Sequence, residues 1–227
     1  MDFKKLIVSA WQQTVSFIGP VLLVTFVQMV LIIISLGILA PVTTAGYVQS
    51  LLRAVREGRP PEIGDLFSQM RLFLPLLLFF ACAAILIFIG FSLLVLPGFV
   101  VAAFIAFAAF YMLPLMTDKG YGMIDALKRS WDIATTAPVN DHIVVTIIYV
   151  AIVSLGGSLP FAFLITQPLA TFILVGAYQE RVVMIDGPSE QSVSKPSPPP
   201  PPPPPHSAEG EPKQAEADTG EGTNDKP

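Results

Sequence analysis

The order of apolar and polar positions divides the chain into long uncharged runs and shorter amphipathic ones. From Leu72 to Leu96, and again from Gly98 to Met116, no charged residue occurs. A bilayer core about 30 Å thick takes roughly 20 apolar residues at about 1.5 Å rise each, so either run is long enough to cross it. Only Pro97 separates them, which makes residues 72–96 and 98–116 a transmembrane helical hairpin turned at Leu96-Pro97-Gly98. Three further runs approach the same length, at 21–40, 141–159 and 161–183. Gln28 lies in the first and is expected to face another helix, because an unpaired amide in hydrocarbon costs about 1–3 kcal/mol. Gln167-Pro168 interrupts the last, and a kink is expected where proline removes a backbone hydrogen bond.

Three segments carry a helical period with a polar face: 2–18, 46–57 and 122–135. In the first, Phe3, Leu6, Ile7, Ala10, Trp11 and Val15 oppose Lys5, Ser9, Gln12 and Gln13, the pattern of a helix lying in the membrane interface. Gly19-Pro20 breaks or restarts it. The second sets Tyr47, Val48, Leu51 and Leu52 against Gln49, Arg53, Arg56 and Glu57, and is too polar to span. Asp65 is placed to cap a short helix holding Leu66 and Phe67. On the third, Asp125 with Arg129 and Lys128 with Asp132 stand four residues apart, where ion pairs are worth a few tenths of a kcal/mol. Span, proline, Gly-Tyr and amphipathic helix recur around Pro41, Gly46-Tyr47 and around Pro114, Gly120-Tyr121, a weak internal repeat.

Composition agrees with a membrane protein: 53% hydrophobic and 13% charged residues exclude an ordinary soluble domain. The expected class is all-α, a polytopic transmembrane bundle of about five spans over residues 1–187, followed by a disordered proline-rich acidic tail over 188–227. In that tail Pro198 to Pro205 form an unbroken run, which favours an extended, stiff polyproline helix. The acids Glu209, Glu211, Glu216, Asp218, Glu221 and Asp225 follow, and too few apolar residues remain to fold. Cys82, the single cysteine, reads as a small core residue and excludes an intrachain disulfide. No secretory signal develops after Lys4 and Lys5.

Basic residues set the orientation. Arg53, Arg56, Arg59 and Arg71 lie in one connection and Lys119, Lys128 and Arg129 in another, whereas the turns at 97–98 and 156–160 carry none. The positive-inside rule puts both connections and the tail in the cytoplasm. Five spans then leave Lys4 and Lys5 outside, against the rule; a re-entrant hairpin over residues 6–40 brings them inside and leaves four spans.

Ala45-Gly46-Tyr47, Arg53, Gly58-Arg59-Pro60, Gly64-Asp65-Leu66-Phe67, Leu96-Pro97-Gly98, Pro114-Leu115 and Asp125-Ala126-Leu127-Lys128-Arg129-Ser130 together resemble an uncharacterised family of bacterial integral membrane proteins. That family is related to the membrane domain of glycerophosphoryl diester phosphodiesterases. The resemblance covers about residues 1–185, implies an inner-membrane helical bundle, and carries no activity with it.

No catalytic constellation, cofactor motif or metal-ligand spacing occurs. His142, beside Asn140-Asp141, reads as a cap neighbour at a span edge, and His206 falls in the tail. The spans hold no ionisable residue at mid-membrane, as a coupled pump would. Arg53, Arg56, Arg59, Lys128 and Arg129 are candidate contacts for anionic lipid, each worth about 1 kcal/mol near the surface. Gln28, Gln167 and Pro168 either line a polar path or join helices. Two functions follow. The first is a non-enzymatic membrane scaffold presenting a cytoplasmic proline-rich tail to a protein partner. The alternative is a small permease or lipid-handling protein for a neutral solute or lipid. Membrane lipids are the expected partners, nucleic acid is not, and the oligomeric state is open.

Overall fold

The computed structural model describes residues 2–136, 138–158 and 160–186. The tail expected over 188–227 lies outside them. Helices account for the fold, with no strand among the described residues. Four helical stretches are long and apolar enough to cross a membrane, Ile63–Leu93, Val95–Asp118, Val139–Gly157 and Phe161–Val182. A fifth arises if two N-terminal helices bent by 88° count as one.

Those two helices are α1 (Phe3–Ser16) and α2 (Ile18–Ile34). Asp2 caps α1 by accepting from the Lys5 amide, and the bend falls at Phe17, before Gly19-Pro20. Pro20 sits in the first turn of α2, where a missing N–H costs nothing. The span expected over 21–40 is corrected here. α2 stops at Ile34, and a turn through Ser35–Leu39 reverses the chain into α3 (Ala40–Glu57). Pro41 begins α3 instead of ending a span.

Two side-chain pairs fix the direction of α3. Thr25 meets Tyr47 at 2.7 Å and Gln28 donates to Thr44 at 3.2 Å. Three residues toward the turn on α2 are matched by three residues back on α3, so the two form an antiparallel hairpin. Its apex is strained and apolar: Leu36 takes a left-handed φ of 52°, a cost of about 1–2 kcal/mol, with its side chain 90% exposed. The amphipathic helix expected at 46–57 is present but longer, running from Ala40 to Glu57. α3 starts six residues earlier and is largely enclosed, with Val42, Ala45, Tyr47, Val48, Leu51 and Leu52 all buried. Thr43 and Ser50 are buried against protein, whereas Arg56 and Glu57 at its end stay exposed.

What holds α3 down is a glycine. A Cβ on Gly46 would lie 2.5 Å from the Asp65 carbonyl oxygen and 2.7 Å from the Leu66 carbonyl carbon. Only a bare α-carbon lets the helix touch the backbone of the 3₁₀ turn Ile63–Phe67. α3 then ends in a left-handed Gly58, φ 67°. Asp65 is not the N-cap expected of it: Glu62 caps that turn, and Asp65 reaches back to the Glu62 amide at 3.2 Å.

The central hairpin is present, shifted at its turn. α4 (Phe73–Leu93) and α5 (Val95–Ala108) meet at an extended Leu94, and Pro97-Gly98 belongs to the first turn of α5. Gly90 faces Gly98 across the hairpin; a Cβ on Gly90 would stand 3.0 Å from the Gly98 α-carbon. The run expected over 98–116 breaks at Ala109–Tyr111, then resumes as α6 (Met112–Asp118), with Pro114 inside it. Cys82 is exposed on the outer surface of α4, not a core residue. α7 (Met123–Thr136) covers the expected third amphipathic segment. Lys128 and Asp132 line one pocket there without closing an ion pair. α8 (Val139–Ser158) and α9 (Pro160–Asp186) form the last hairpin, and α9 runs through Pro168 as one helix. The suspected repeat finds no structural counterpart: Gly46-Tyr47 lies within α3, whereas Gly120 is a left-handed residue between α6 and α7.

Candidate functional site

Between the α2–α3 hairpin and helices α4, α5, α8 and α9 lies a cavity of about 600 Å³. Phe79 and Phe80 of α4, Ile105 of α5, Tyr149 of α8 and Phe163 and Leu174 of α9 make most of its wall. Gly37 and Pro41 close it at the hairpin apex, and Thr44 and Gln167 bring the polar atoms. At about 30 Å³ for a water-sized group, this volume takes roughly 20 of them. An apolar cavity with few polar groups in its wall suits a lipid chain or a neutral amphiphile better than an ion.

The sequence-derived polar residues divide around it. Gln167 faces the cavity, with Pro168 buried just behind. Gln28 is fully buried on α2 and reaches the cavity only through Thr44. Its amide faces another helix, as the pattern required, but its Oε1 has no partner. Thr25 spends its hydroxyl proton on the Val21 carbonyl at 2.7 Å, so the Tyr47 hydroxyl is the donor in their shared bond.

The basic residues cluster at one end of the bundle, where carboxylates meet three of them. Asp65 accepts from Ser50 at 2.6 Å and Arg59 at 2.5 Å, and Arg53 stands 3.7 Å away. Asp118 takes Arg56 through two oxygens, at 2.5 and 3.0 Å, and the Tyr178 hydroxyl at 2.9 Å. That carboxylate raises the Arg56 pKa above its ordinary value. Gln49 extends the network, accepting from Ser68 and Gln69 and donating to the Thr117 carbonyl. α3 is thereby tied to the 63–67 turn and to α6. Of the candidate lipid contacts, Arg53, Arg56 and Arg59 are thus shared with Asp65 and Asp118. Lys128 is exposed and Arg129 half-buried on α7. Lys128 and Trp131 line a smaller pocket of about 280 Å³ against Phe104.

Sequence reasoning missed a second cluster. Arg181 is 1% exposed, and His142, expected at a span edge, is 0% exposed. The Arg181 Nη2 donates to the Pro138 carbonyl at 3.2 Å, which pins α9 to the start of α8. His142 Nε2 stands 3.1 Å from the Phe107 carbonyl, inside a ring of Phe107, Phe110 and Tyr111. The sequence signal was faint: an arginine seven residues after Leu174 continues the face carrying Gln167, a heptad relation hidden by its position at the end of an apolar run.

Among the described residues no three His, Cys, Asp or Glu side chains converge as a metal would need. No family model matches the chain, and neither the curated proteins nor the solved structures give a match.

Proposed function

We propose that this chain is an integral membrane protein that takes up a lipid or neutral amphiphile laterally from the bilayer into the cavity between its α2–α3 hairpin and α4, α5, α8 and α9. The cavity carries this reading, being apolar, about the size of one lipid chain, and bordered by Gln167 and Thr44. The sequence ranked a scaffold with a partner-binding tail first; the cavity moves lipid handling ahead of it. The kinship with the bacterial membrane-protein family enters only as part of this proposal, together with an inner-membrane location. Ala106 lines the cavity, so Ala106→Phe fills it. Protein purified in a mild neutral detergent should retain bound lipid by native mass spectrometry, and Ala106→Phe should lose most of it with little change in melting temperature. Equal lipid retention by the two proteins would remove the basis for the proposal.

The same arrangement supports four spans and a re-entrant hairpin. Arg56 bonds Asp118, Arg181 bonds Pro138, and Leu6 packs on Gly176, so the charged connections and α1 gather at one end. Lys4 and Lys5 then join the other basic residues on the cytoplasmic side, and the conflict with the positive-inside rule disappears. The hairpin differs from the one expected, having its apex at Ser35–Leu39 and not at Gly19-Pro20. In a Cys82→Ala background, Leu96→Cys should label from outside intact cells. Lys4→Cys, Pro60→Cys and Gly210→Cys should label only after permeabilisation; outside labelling at position 4 would restore five spans.

A further inference from the structure

Arg181 is the one cation held wholly inside the described bundle, and two of its neighbours share its condition. Its Nε and Nη1 have no hydrogen-bond partner, nor do the Tyr111 hydroxyl and His142 Nδ1. The Tyr111 hydroxyl lies beside the guanidinium, His142 is within its electrostatic reach, and the Tyr111 and His142 rings stand 5.2 Å apart. A guanidinium does not shed its proton to suit a buried site, so its charge must be answered. Among the described residues no carboxylate pairs with it; Glu180, next in the chain, is felt by Tyr111 only at longer range. The Phe107 carbonyl can only accept, so His142 Nε2 carries the proton and Nδ1 presents a bare lone pair.

Two geometric facts join this cluster to the cavity. The Phe110 ring is a common wall, 5.3 Å from Tyr149 on the cavity side and 5.4 Å from His142 on the other. On α9, Gln167 and Leu174 line the cavity, and Arg181 follows on the same face about 10 Å further along the axis. That separation is about the length of a glycerol phosphate head.

We propose that Arg181, Tyr111 and His142 bind the head of the cavity's lipid, and that this head carries a negative phosphate or carboxylate together with a free hydroxyl. The anionic oxygens take Nε and Nη1 of Arg181 and the Tyr111 hydroxyl; the ligand's hydroxyl donates to His142 Nδ1. Phe110 turns aside to admit it. The inference rests on the lipid-handling reading above and narrows it to anionic amphiphiles.

The test compares 1-oleoyl-lysophosphatidate, 1-monooleoylglycerol and inorganic phosphate as ligands of the full chain in neutral detergent, by isothermal titration. Wild-type protein should bind lysophosphatidate at least tenfold more tightly than monooleoylglycerol. Arg181→Gln should erase that preference while keeping monooleoylglycerol binding, which also certifies its fold. Tyr111→Phe should reduce the preference severalfold. Equal affinity of wild type for the two lipids, or a preference that survives Arg181→Gln, overturns the head-group site and leaves the cavity standing. If neither lipid binds wild type, the lipid-handling reading itself fails. Displacement of lysophosphatidate by millimolar phosphate alone would overturn the amphiphile and assign the cluster to a free anion.

Discussion

Replacing Gly46 with alanine will lower the stability of this protein by about 3 kcal/mol, the upper end of what a misplaced methyl costs in a packed interior. The new Cβ has nowhere to go. It meets the backbone of Asp65 and Leu66, which cannot swing away as a side chain would. α3 must lift from the Ile63–Phe67 turn, and with it go the contacts of Tyr47, Leu51 and Leu66, each fully buried. For a protein of this size 1 kcal/mol moves the melting temperature by about 2–4 °C, so a fall of about 10 °C in detergent is expected. Gly64→Ala is the control, since a Cβ there meets nothing within 4 Å and that melt should move little. A Gly46→Ala melt within a degree or two of wild type would show that α3 and the turn do not touch as described.

The second large effect is expected at Asp65. Its side chain is 10% exposed, and the carboxylate holds Ser50, Arg59 and the Glu62 amide. Asp65→Ala leaves the Ser50 hydroxyl, itself buried, without an acceptor and releases two guanidinium groups from their partner. Breaking a fully buried pair costs about 3–5 kcal/mol, but Arg53 and Arg59 are a third or more exposed and recover much of their solvation. A loss of about 2 kcal/mol remains, most of it from the stranded hydroxyl and amide. Adding Ser50→Ala to Asp65→Ala should cost little more, because the two residues share one bond; fully additive losses would contradict that bond.

The spans were legible because charge-free runs of the required length have few other uses. Residues 72–96 and 141–183 needed no knowledge of neighbours. The α2–α3 hairpin was not legible, for a reason in its own residues. Leu36, Ile38 and Leu39 are apolar, so the turn looked like the continuation of a span; no proline or turn signal other than Gly37 marks it. The depth at which α3 is buried was not legible either, because period reveals which residues share a face and is silent on what that face meets. Thr44, Tyr47 and Ser50 meet protein. Arg181 escaped notice for a different reason. A basic residue near the end of an apolar run normally marks the surface, and only the return of α8 beside it buries the side chain. Gln28 succeeded because its argument was energetic: an amide among aliphatic residues requires a partner wherever the chain goes.

The α2–α3 hairpin reaches only partway into the bundle. Gly37 at its apex borders the same cavity as Ala84, just past the middle of the 21-residue α4, so the hairpin stops partway along the bundle. In the proposed orientation the cytoplasmic leaflet surrounds six helices, with α1 lying almost at right angles beside them, and the outer leaflet surrounds four. Each molecule therefore takes more lateral area from one monolayer than from the other. Such a wedge bends the sheet around it, and a population of them gathers where the membrane already curves toward the cytoplasm.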